Sequence, residues 1–447
     1  MDRRRADGVS RGNGGGRSRE KALTRRQALQ YGVATVAGLS AAGSLVWHLA
    51  RSSESSMPVA EADDTLSAGV FKGDAPPDKL WELWKKRGWA KEAMHYQKLG
   101  RNVLCRVCPN HCLLTPGDRS HCRNKVNRDG VLYTLAYGNP CAVHVDPIEK
   151  KPLFHFLPGS RSFSIATAGC VLRCLNCQNW EISQSKPEET KDPSGEEVRV
   201  KPENPRLAAG AVERLSMFPE DVVALAAAGK CASISCTYSE PVAYYEYAYD
   251  TCKLAREKKI KSVLVTSGYI ETAPLKDLAQ YVDGAHVDLK GFDDAVYRKL
   301  NSGSLQPVLD TILTLRKEGV WVEVINLVVP TYTDKLDVIK KMCEWLVKNA
   351  TPDCPVHFSR FHPLHKLTHL SPTPVEVLLK ARSAAIDAGL RYVYLGNVPG
   401  LADVENTSCP KCKKVVVERK VFTVTALNIE SGKCKFCRTE IPGVWSG

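Results

Sequence analysis

The sequence predicts an α/β protein. Its centre is a partial α/β barrel, preceded by a cysteine-rich segment and followed by a small zinc-ribbon-like module. Two observations carry this. From Ser162 onward, short β-rich runs alternate with helical runs of about 10 to 17 residues, the pattern of right-handed βαβ units on a parallel sheet. Eleven of the seventeen cysteines fall into three groups whose close neighbours are separated by two, three or nine residues. Disulfides need no such local clustering, whereas metals do. With 447 residues, 43% of them apolar and 25% charged, the chain can bury a sizeable core and still carry appendages.

Residues 1–50 have the texture of targeting rather than fold. The net charge of +13 is uneven: the first thirty residues hold nine Arg or Lys against Asp2, Asp7 and Glu20. This reads as a targeting arm plus a solvated lysine-rich surface rather than a nucleic-acid face. Thr24, Arg25 and Arg26 precede an apolar stretch from Gly32 to Ala50, 19 residues and long enough to span a bilayer. The run resembles a twin-arginine export signal, and Val59–Ala62 offers a weak cleavage site. Residues 51–75, rich in Ser, Glu, Asp and Pro, read as linker. The segment is thus expected to export the chain or tether it to a membrane, with a cytoplasmic location as the alternative. Arg-rich flanks would send the body across the membrane.

Residues 76–160 form the cysteine-rich region. Residues 78–100 read as an amphipathic helix, followed by Cys105, Cys108, Cys112 and Cys122 and by strand-and-turn material. Residues 161–400 are the barrel. Its first strand, "SFSIATA", runs into "GCVLRCLNCQNWEIS", which holds Cys170, Cys174 and Cys177. Chemistry in such barrels sits on loops at the C-terminal strand ends, and this loop lies there. In residues 401–447, Cys409-x2-Cys412 and Cys434-x2-Cys437 flank a β-rich insert with the spacing of a ribbon.

Each set implies its own chemistry. Cys170, Cys174 and Cys177 are too close together to conceal a fourth ligand. Iron–sulfur clusters normally take four thiolates, so three leave one iron open to a small molecule that offers an amine and a carboxylate. That arrangement puts the ligand's reactive bond beside a one-electron donor, as radical chemistry requires. The bland alternative is a zinc site completed by a distant cysteine. Cys105, Cys108, Cys112 and Cys122 supply four ligands, enough for a closed zinc or an auxiliary iron–sulfur centre. Cys409, Cys412, Cys434 and Cys437 suit a structural zinc, with a rubredoxin-like iron as the alternative.

C-x3-C-x2-C opening a βα barrel resembles the radical S-adenosylmethionine superfamily. "GCVLRCLNCQNWEISQ", with "CRVCPNHC", "VDPIEKKPLFHFLPGS", "TYSEP", "VDLKGF" and "RFHP", is similar to the radical enzyme of the AmmeMemoRadiSam system, a relative of glycyl-radical-enzyme activases. The likeness spans Cys105 to Asn397. It implies a partial (βα)6-type barrel, a [4Fe–4S] cluster on Cys170, Cys174 and Cys177, and S-adenosylmethionine reduced to a 5′-deoxyadenosyl radical that abstracts hydrogen from a substrate. It also implies a flavodoxin- or ferredoxin-type electron donor, and a substrate that is protein, RNA or small molecule, with other members of that system as partners. The family pattern commonly has Asn after the first cysteine and an aromatic before the third. Here Val171 and Asn176 stand there, which places the expected contact with the cofactor's adenine in doubt.

Further residues follow by position. Tyr238, Ser239 and Glu240 end the second strand, where the superfamily binds the S-adenosylmethionine amino group. Glu240 would accept from an ammonium unless it is an exposed helix-start carboxylate. Thr266, Ser267 and Gly268 close the third strand, with Gly268 permitting close backbone approach. Asp288 and Lys290 end the fourth, as cofactor contacts or as an internal salt bridge. His357, His362 and His365 are expected together near the sixth strand end, in packing roles. The reading of a different class is a membrane-tethered iron–sulfur electron carrier.

Overall fold

The structure, a computed structural model, describes residues 69–192, 196–203 and 211–446. The expected signal or anchor in residues 1–50, and most of the expected linker, lie outside these. Among the described residues no helix is long and apolar enough to cross a membrane.

Eight strands form the central sheet: β1 (Ala142–Pro147), β2 (Arg161–Ala166), β3 (Ser233–Cys236), β4 (Lys261–Thr266), β5 (Gly284–Asp288), β6 (Trp321–Val328), β7 (Val356–Arg360) and β8 (Val393–Gly396). Their spatial order follows the chain from β1 to β8. β2 to β8 are parallel, and β1 pairs antiparallel with β2. No ladder joins β1 to β8, so the barrel is partial, with six crossovers between seven parallel strands. The β1 edge comes from the cysteine-rich region.

The crossovers carry α1 (Pro219–Ala228), α2 (Tyr245–Glu257), α3 (Thr272–Ala279), α4 (Asp294–Asn301), α5 (Gln306–Lys317), α6 (Leu336–Asn349) and α7 (Val375–Asp387). Alternate strand residues such as Ile234, Leu264, Val287, Val324 and Phe358 belong to one buried cluster with Leu278, Ile312, Met342 and Leu378 of these helices. Their neighbours along each strand face the other way, as the period of two requires. That inner face holds Val263, Val265 and Trp321, packed on Ile148, Leu153, Phe156 and Leu157. Gly284 is small by necessity, since a Cβ there would stand 2.8 Å from the Phe156 ring.

The N-terminal end of the barrel is sealed. Glu323 accepts from the backbone N–H groups of Phe154 (2.9 Å) and His155 (2.7 Å), and from His357 Nε2 (2.8 Å) and Trp321 Nε1 (3.0 Å). Burial opposes its charge, yet the His357 bond and the other donors hold its carboxyl down at about 2. The C-terminal module seats here. Its sheet of Thr407–Ser408, Val415–Lys420 and Thr423–Leu427 presents Arg419, whose guanidinium donates to Phe154 O, to Glu405 O (3.1 Å) and to Thr407 Oγ1 (2.9 Å).

The amphipathic helix expected over residues 78–100 ends at Lys86. Gly88 takes φ +72° and Tyr96–Leu99 pairs with Asn102–Cys105 as a hairpin. The tight hairpin that turns at Gly100, with four cross-strand partners, outweighs the helical pattern there. One prediction concerns the seated module. Arg419→Met removes a buried cation from its acceptors and should cost about 3 kcal/mol, read as a lower denaturant midpoint at unchanged m-value. A loss under about 0.5 kcal/mol would show that Arg419 does not hold the module in place.

Candidate metal and cofactor site

The loop after β2 puts Cys170, Cys174 and Cys177 at the C-terminal end of the sheet. It has little regular structure, so its shape comes from hydrogen bonds to its surroundings. Gly169 N–H donates to Ile182 O (2.9 Å), Arg173 N–H to Asn301 O (3.0 Å) and Leu175 N–H to Leu300 O (2.9 Å). Lys366 N–H donates to Leu175 O (3.0 Å), and Asn110 Nδ2 to Val171 O (2.8 Å). Gly169 itself has φ +91°, and a Cβ there would lie 2.4 Å from both Cys122 O and Asn124 Oδ1. A left-handed turn and a close approach therefore both demand glycine one residue before Cys170.

Each sulfur has a donor beside it: Leu172 N–H at 3.4 Å from Cys170, Asn301 Nδ2 at 3.2 Å from Cys174, and the Ser183 hydroxyl at 3.1 Å from Cys177. Burial pushes all three thiols up, Cys174 to about 11. Binding a metal would release these protons and replace them with a charge-compensating cation.

Around this loop stand the other expected residues. Glu240 is 2% exposed, which excludes the exposed-carboxylate reading. Thr266 Oγ1 donates to its Oε1 (2.6 Å), as does Val242 N–H (3.3 Å), and Ser267 N–H donates to Oε2 (2.8 Å). Burial raises its carboxyl, opposed by these donors, and it interacts electrostatically with Cys170. Glu240, Thr266 and Ser267 thus form one unit joining the ends of β3 and β4. Gly268 follows with φ +69°, its carbonyl taken by Thr311 Oγ1 (2.7 Å).

Asp288 and Lys290 form the internal ion pair, at 2.7 Å, and His286 Nε2 lies 2.8 Å from the other Asp288 oxygen. Burial disfavours both charges, but each partner overrides it: Asp288 is held well below the usual carboxylate range and Lys290 above the usual amine range. Lys290 also acts electrostatically on Cys174 and Cys177. The Tyr238 ring is occupied, its hydroxyl bonded to Asp146 and Lys151 Nζ. Its φ is +65°, and its carbonyl accepts from Asn179 Nδ2 (2.7 Å), two residues beyond Cys177. Ser239 Oγ donates to Thr167 O (2.7 Å).

The histidine expectation needs correction. His357 is the second residue of β7, at the sealed N-terminal end, whereas His362 and His365 follow that strand. His365 stacks on Trp180 at 5.3 Å. Two residues of a strand rise about 7 Å, and strand polarity rather than sequence proximity decides which end a side chain joins. Residues that spacing did not flag are Asn301, Ser183, Asn124, Asp146 and Lys151. Asn301 and Asn124 reach the site from other elements and have no motif, whereas Ser183, Asp146 and Lys151 lie inside quoted motifs whose spacing did not give them a role.

The donor set suits the expected cofactors. Three thiols on a clamped loop can ligate a cluster with one position left open. Beside them, Asn176 Oδ1 and Ser267 Oγ are buried without a partner, an unusual cost unless a polar ligand satisfies them. Asn176 occupies the position where an aromatic was expected, so an amide and not a ring faces this space.

The C-terminal cysteines differ in geometry. Their ligand atoms all lie within 4.8 Å of one another, with Cys409 and Cys437 sulfurs 3.5 Å apart and Cys412 and Cys434 sulfurs 3.7 Å apart. Four thiolates about 2.3 Å from a tetrahedral zinc stand about 3.8 Å apart. The set could hold one such ion.

Residues 164–345 match the family model described as the Radical SAM superfamily. An uncharacterised protein of Methanocaldococcus jannaschii is 44% identical over 354 residues, covering 78% of this chain and 98% of its own length. The pyruvate formate-lyase-activating enzyme of Clostridium pasteurianum is 23% identical over 210 residues, 46% of this chain and 77% of that one. The solved structure of Streptococcus suis SuiB bound to S-adenosylmethionine shares 13% identity at a TM-score of 0.39, covering 58% of this chain and 56% of that one.

Gly169→Ala should strain the loop by about 2 kcal/mol and lower iron retention on the barrel cysteines. Iron analysis after gel filtration, beside a thermal melt, tests this. Iron and melting temperature equal to the parent would mean that the close approach at Gly169 is dispensable.

Proposed function

The chain belongs to the radical SAM superfamily, an enzyme superfamily that uses a [4Fe–4S] cluster with S-adenosylmethionine, and from this we propose that it generates a 5′-deoxyadenosyl radical to abstract hydrogen from its substrate. One observation carries the reading to particular residues: three cysteines on a clamped loop face a polar unit with unpartnered buried atoms at the open end of the barrel.

In this reading Cys170, Cys174 and Cys177 hold the cluster. With cluster and cofactor bound, one electron splits S-adenosylmethionine into methionine and the radical. Glu240, held in place by Thr266 and Ser267, receives the cofactor's ammonium. Asn176 Oδ1 accepts from its polar groups, and the Ser267 hydroxyl accepts from or donates to them. Ser239 and Gly268 shape the backbone around it, and Tyr238 anchors the β3 end through Asp146. The Asp288–Lys290 pair sets the charge beside Cys174, and Asn301 keeps that sulfur oriented. The C-terminal module holds a structural zinc, and the N-terminal segment links the chain to a membrane.

The likeness to a pyruvate formate-lyase-activating enzyme favours one further reading, in which the abstracted hydrogen belongs to a glycine of a partner protein. The membership in the AmmeMemoRadiSam group rests on the motifs quoted above and leaves other substrates open.

The test is reductive cleavage. Anaerobically reconstituted and reduced protein should convert S-adenosylmethionine to 5′-deoxyadenosine, and Cys174→Ala should lower the rate by at least about 1,000-fold. If the iron loads normally and no 5′-deoxyadenosine forms, the enzymatic reading fails. A second test separates the metals. Cys434→Ala should remove about one zinc per chain without changing the iron content. Loss of iron instead would reassign the module.

A further inference from the structure

The cysteines of the N-terminal region lie outside the site described above, yet they adjoin it. Cys105, Cys108, Cys112 and Cys122 are all buried. Cys105 ends a hairpin strand, and its N–H donates to Cys112 O (3.0 Å), closing the loop on itself. Cys108 interacts electrostatically with the other three, and Cys112 with Cys105 and Cys122, so the four thiols lie in one neighbourhood. Among the described residues, only the C-terminal set draws three or more ligand atoms to within 4.8 Å. The N-terminal four are therefore gathered more widely than a single tetrahedral ion holds its thiolates. A four-iron cube sets thiolates wider apart, because each binds a different iron.

The surroundings carry positive charge. Lys125 is buried and acts on Cys105 and Cys122, although Glu246 pairs with it at 2.7 Å. Arg123 acts on Cys122 and also on Cys170, and Arg173, on the barrel loop, acts on Cys112. Both guanidiniums stack over Phe71, at 5.4 and 5.2 Å. Arg123 Nη1, Arg173 Nε and both ring nitrogens of His121 are buried without a hydrogen-bond partner. His121 is only 2% exposed. Buried guanidinium N–H groups of Arg123 and Arg173 without acceptors suit an anionic group at these thiols, and a four-thiolate cluster is an anion whose charge grows on reduction. Two donors already point at the sulfurs: His121 N–H at 3.4 Å from Cys112 and the Ser120 hydroxyl at 3.1 Å from Cys122. Such donors and nearby cations raise a cluster's potential and favour its reduced state.

The two cysteine regions touch. Gly169, one residue before Cys170, leaves no room for a Cβ against Cys122 O. Asn124, two residues after Cys122, donates through Nδ2 to Ala168 O (2.7 Å) and Ala243 O (3.2 Å). One hydrogen-bonded seam thus joins the two loops, and Arg123 and Arg173 cross it in opposite directions.

We propose that Cys105, Cys108, Cys112 and Cys122 hold a second iron–sulfur cluster, closed by four thiolates, that delivers single electrons to the barrel cysteines across the Cys122–Gly169 contact. Its destination rests on the proposed function above, whereas its existence does not. A low-potential donor of the ferredoxin or flavodoxin class loses one electron, the second cluster gains and passes it on, and no bond or proton moves in the relay.

The test uses the full chain, reconstituted anaerobically with iron and sulfide. Wild type should bind about eight irons, and the Cys108→Ser/Cys112→Ser variant about four. On reduction, wild type should give two EPR signals, of which only the one that persists in this variant responds to S-adenosylmethionine. The converse variant, with Cys170, Cys174 and Cys177 all changed to Ala, should keep about four irons and a signal indifferent to S-adenosylmethionine. Should the radical function fail, that variant still decides whether the second cluster exists. Arg123→Gln should leave the iron count unchanged and shift the second signal's midpoint potential to a more negative value. Cleavage driven by reduced flavodoxin should fall at least about tenfold in Cys108→Ser/Cys112→Ser. Zinc at these cysteines, or about four irons in wild type that all leave with the barrel cysteines, would overturn the proposal. An unshifted potential in Arg123→Gln would remove the charge argument with it.

Discussion

An eight-residue stretch without regular structure, Cys170 to Cys177, has to hold three sulfurs in fixed positions, and hydrogen bonds from outside the loop do this. The amides of Arg173 and Leu175 end on the last carbonyls of α4, Leu175 O is taken by Lys366 after β7, and Asn110 reaches Val171 from the cysteine-rich region. These contacts come from segments up to about 190 residues away, so the loop takes its shape only after the barrel has brought them together. The orphan carbonyls at the end of α4 gain partners in the same bonds that order the loop.

The two ends of the barrel differ in what covers them. At the N-terminal end Glu323 has four donors, His155 bonds both Pro442 O and Tyr394 Oη at 2.7 Å, and the C-terminal module covers them. That end is closed by protein. At the C-terminal end Asn176 Oδ1, Ser267 Oγ and Asn301 Oδ1 lack partners. Unpaired buried groups also occur near the sealed end, at Ser160 Oγ, Ser262 Oγ, Tyr392 Oη and Glu149 Oε2, so it is the loop and its three cysteines, not a count of unpaired atoms, that mark the candidate site.

Three cysteine sets in one chain differ by ligand number and spacing. Four thiols drawn to 3.5 and 3.7 Å contacts match one ion. Three on a loop leave a coordination position open. Four set more widely, among buried cations, match a larger anionic centre. Arg123 and Arg173 belong to two of these sets at once, so charge on one is felt at the other.

The βα alternation, the ligand triplet and the ribbon spacing were all legible in the sequence, because strand and helix periods and metal-ligand spacings are local properties of a chain. Strand polarity then placed Cys170, Glu240 and Ser267 at one end. Helical periodicity and sequence proximity failed in two places. Residues 96–99 joined a hairpin instead of a helix, and His357 went to the sealed end while His365 went to the open one. The Asp288–Lys290 pair was legible from its spacing, but Asn301 and Asn124, which reach the triplet's surroundings from other elements, carry no spacing signal. The sequence by itself determined the cysteine spacings and the order of the strands. Only the tertiary structure decided which polar groups surround those cysteines and that the two N-terminal cysteine sets share a seam, since both depend on contacts between residues far apart along the chain.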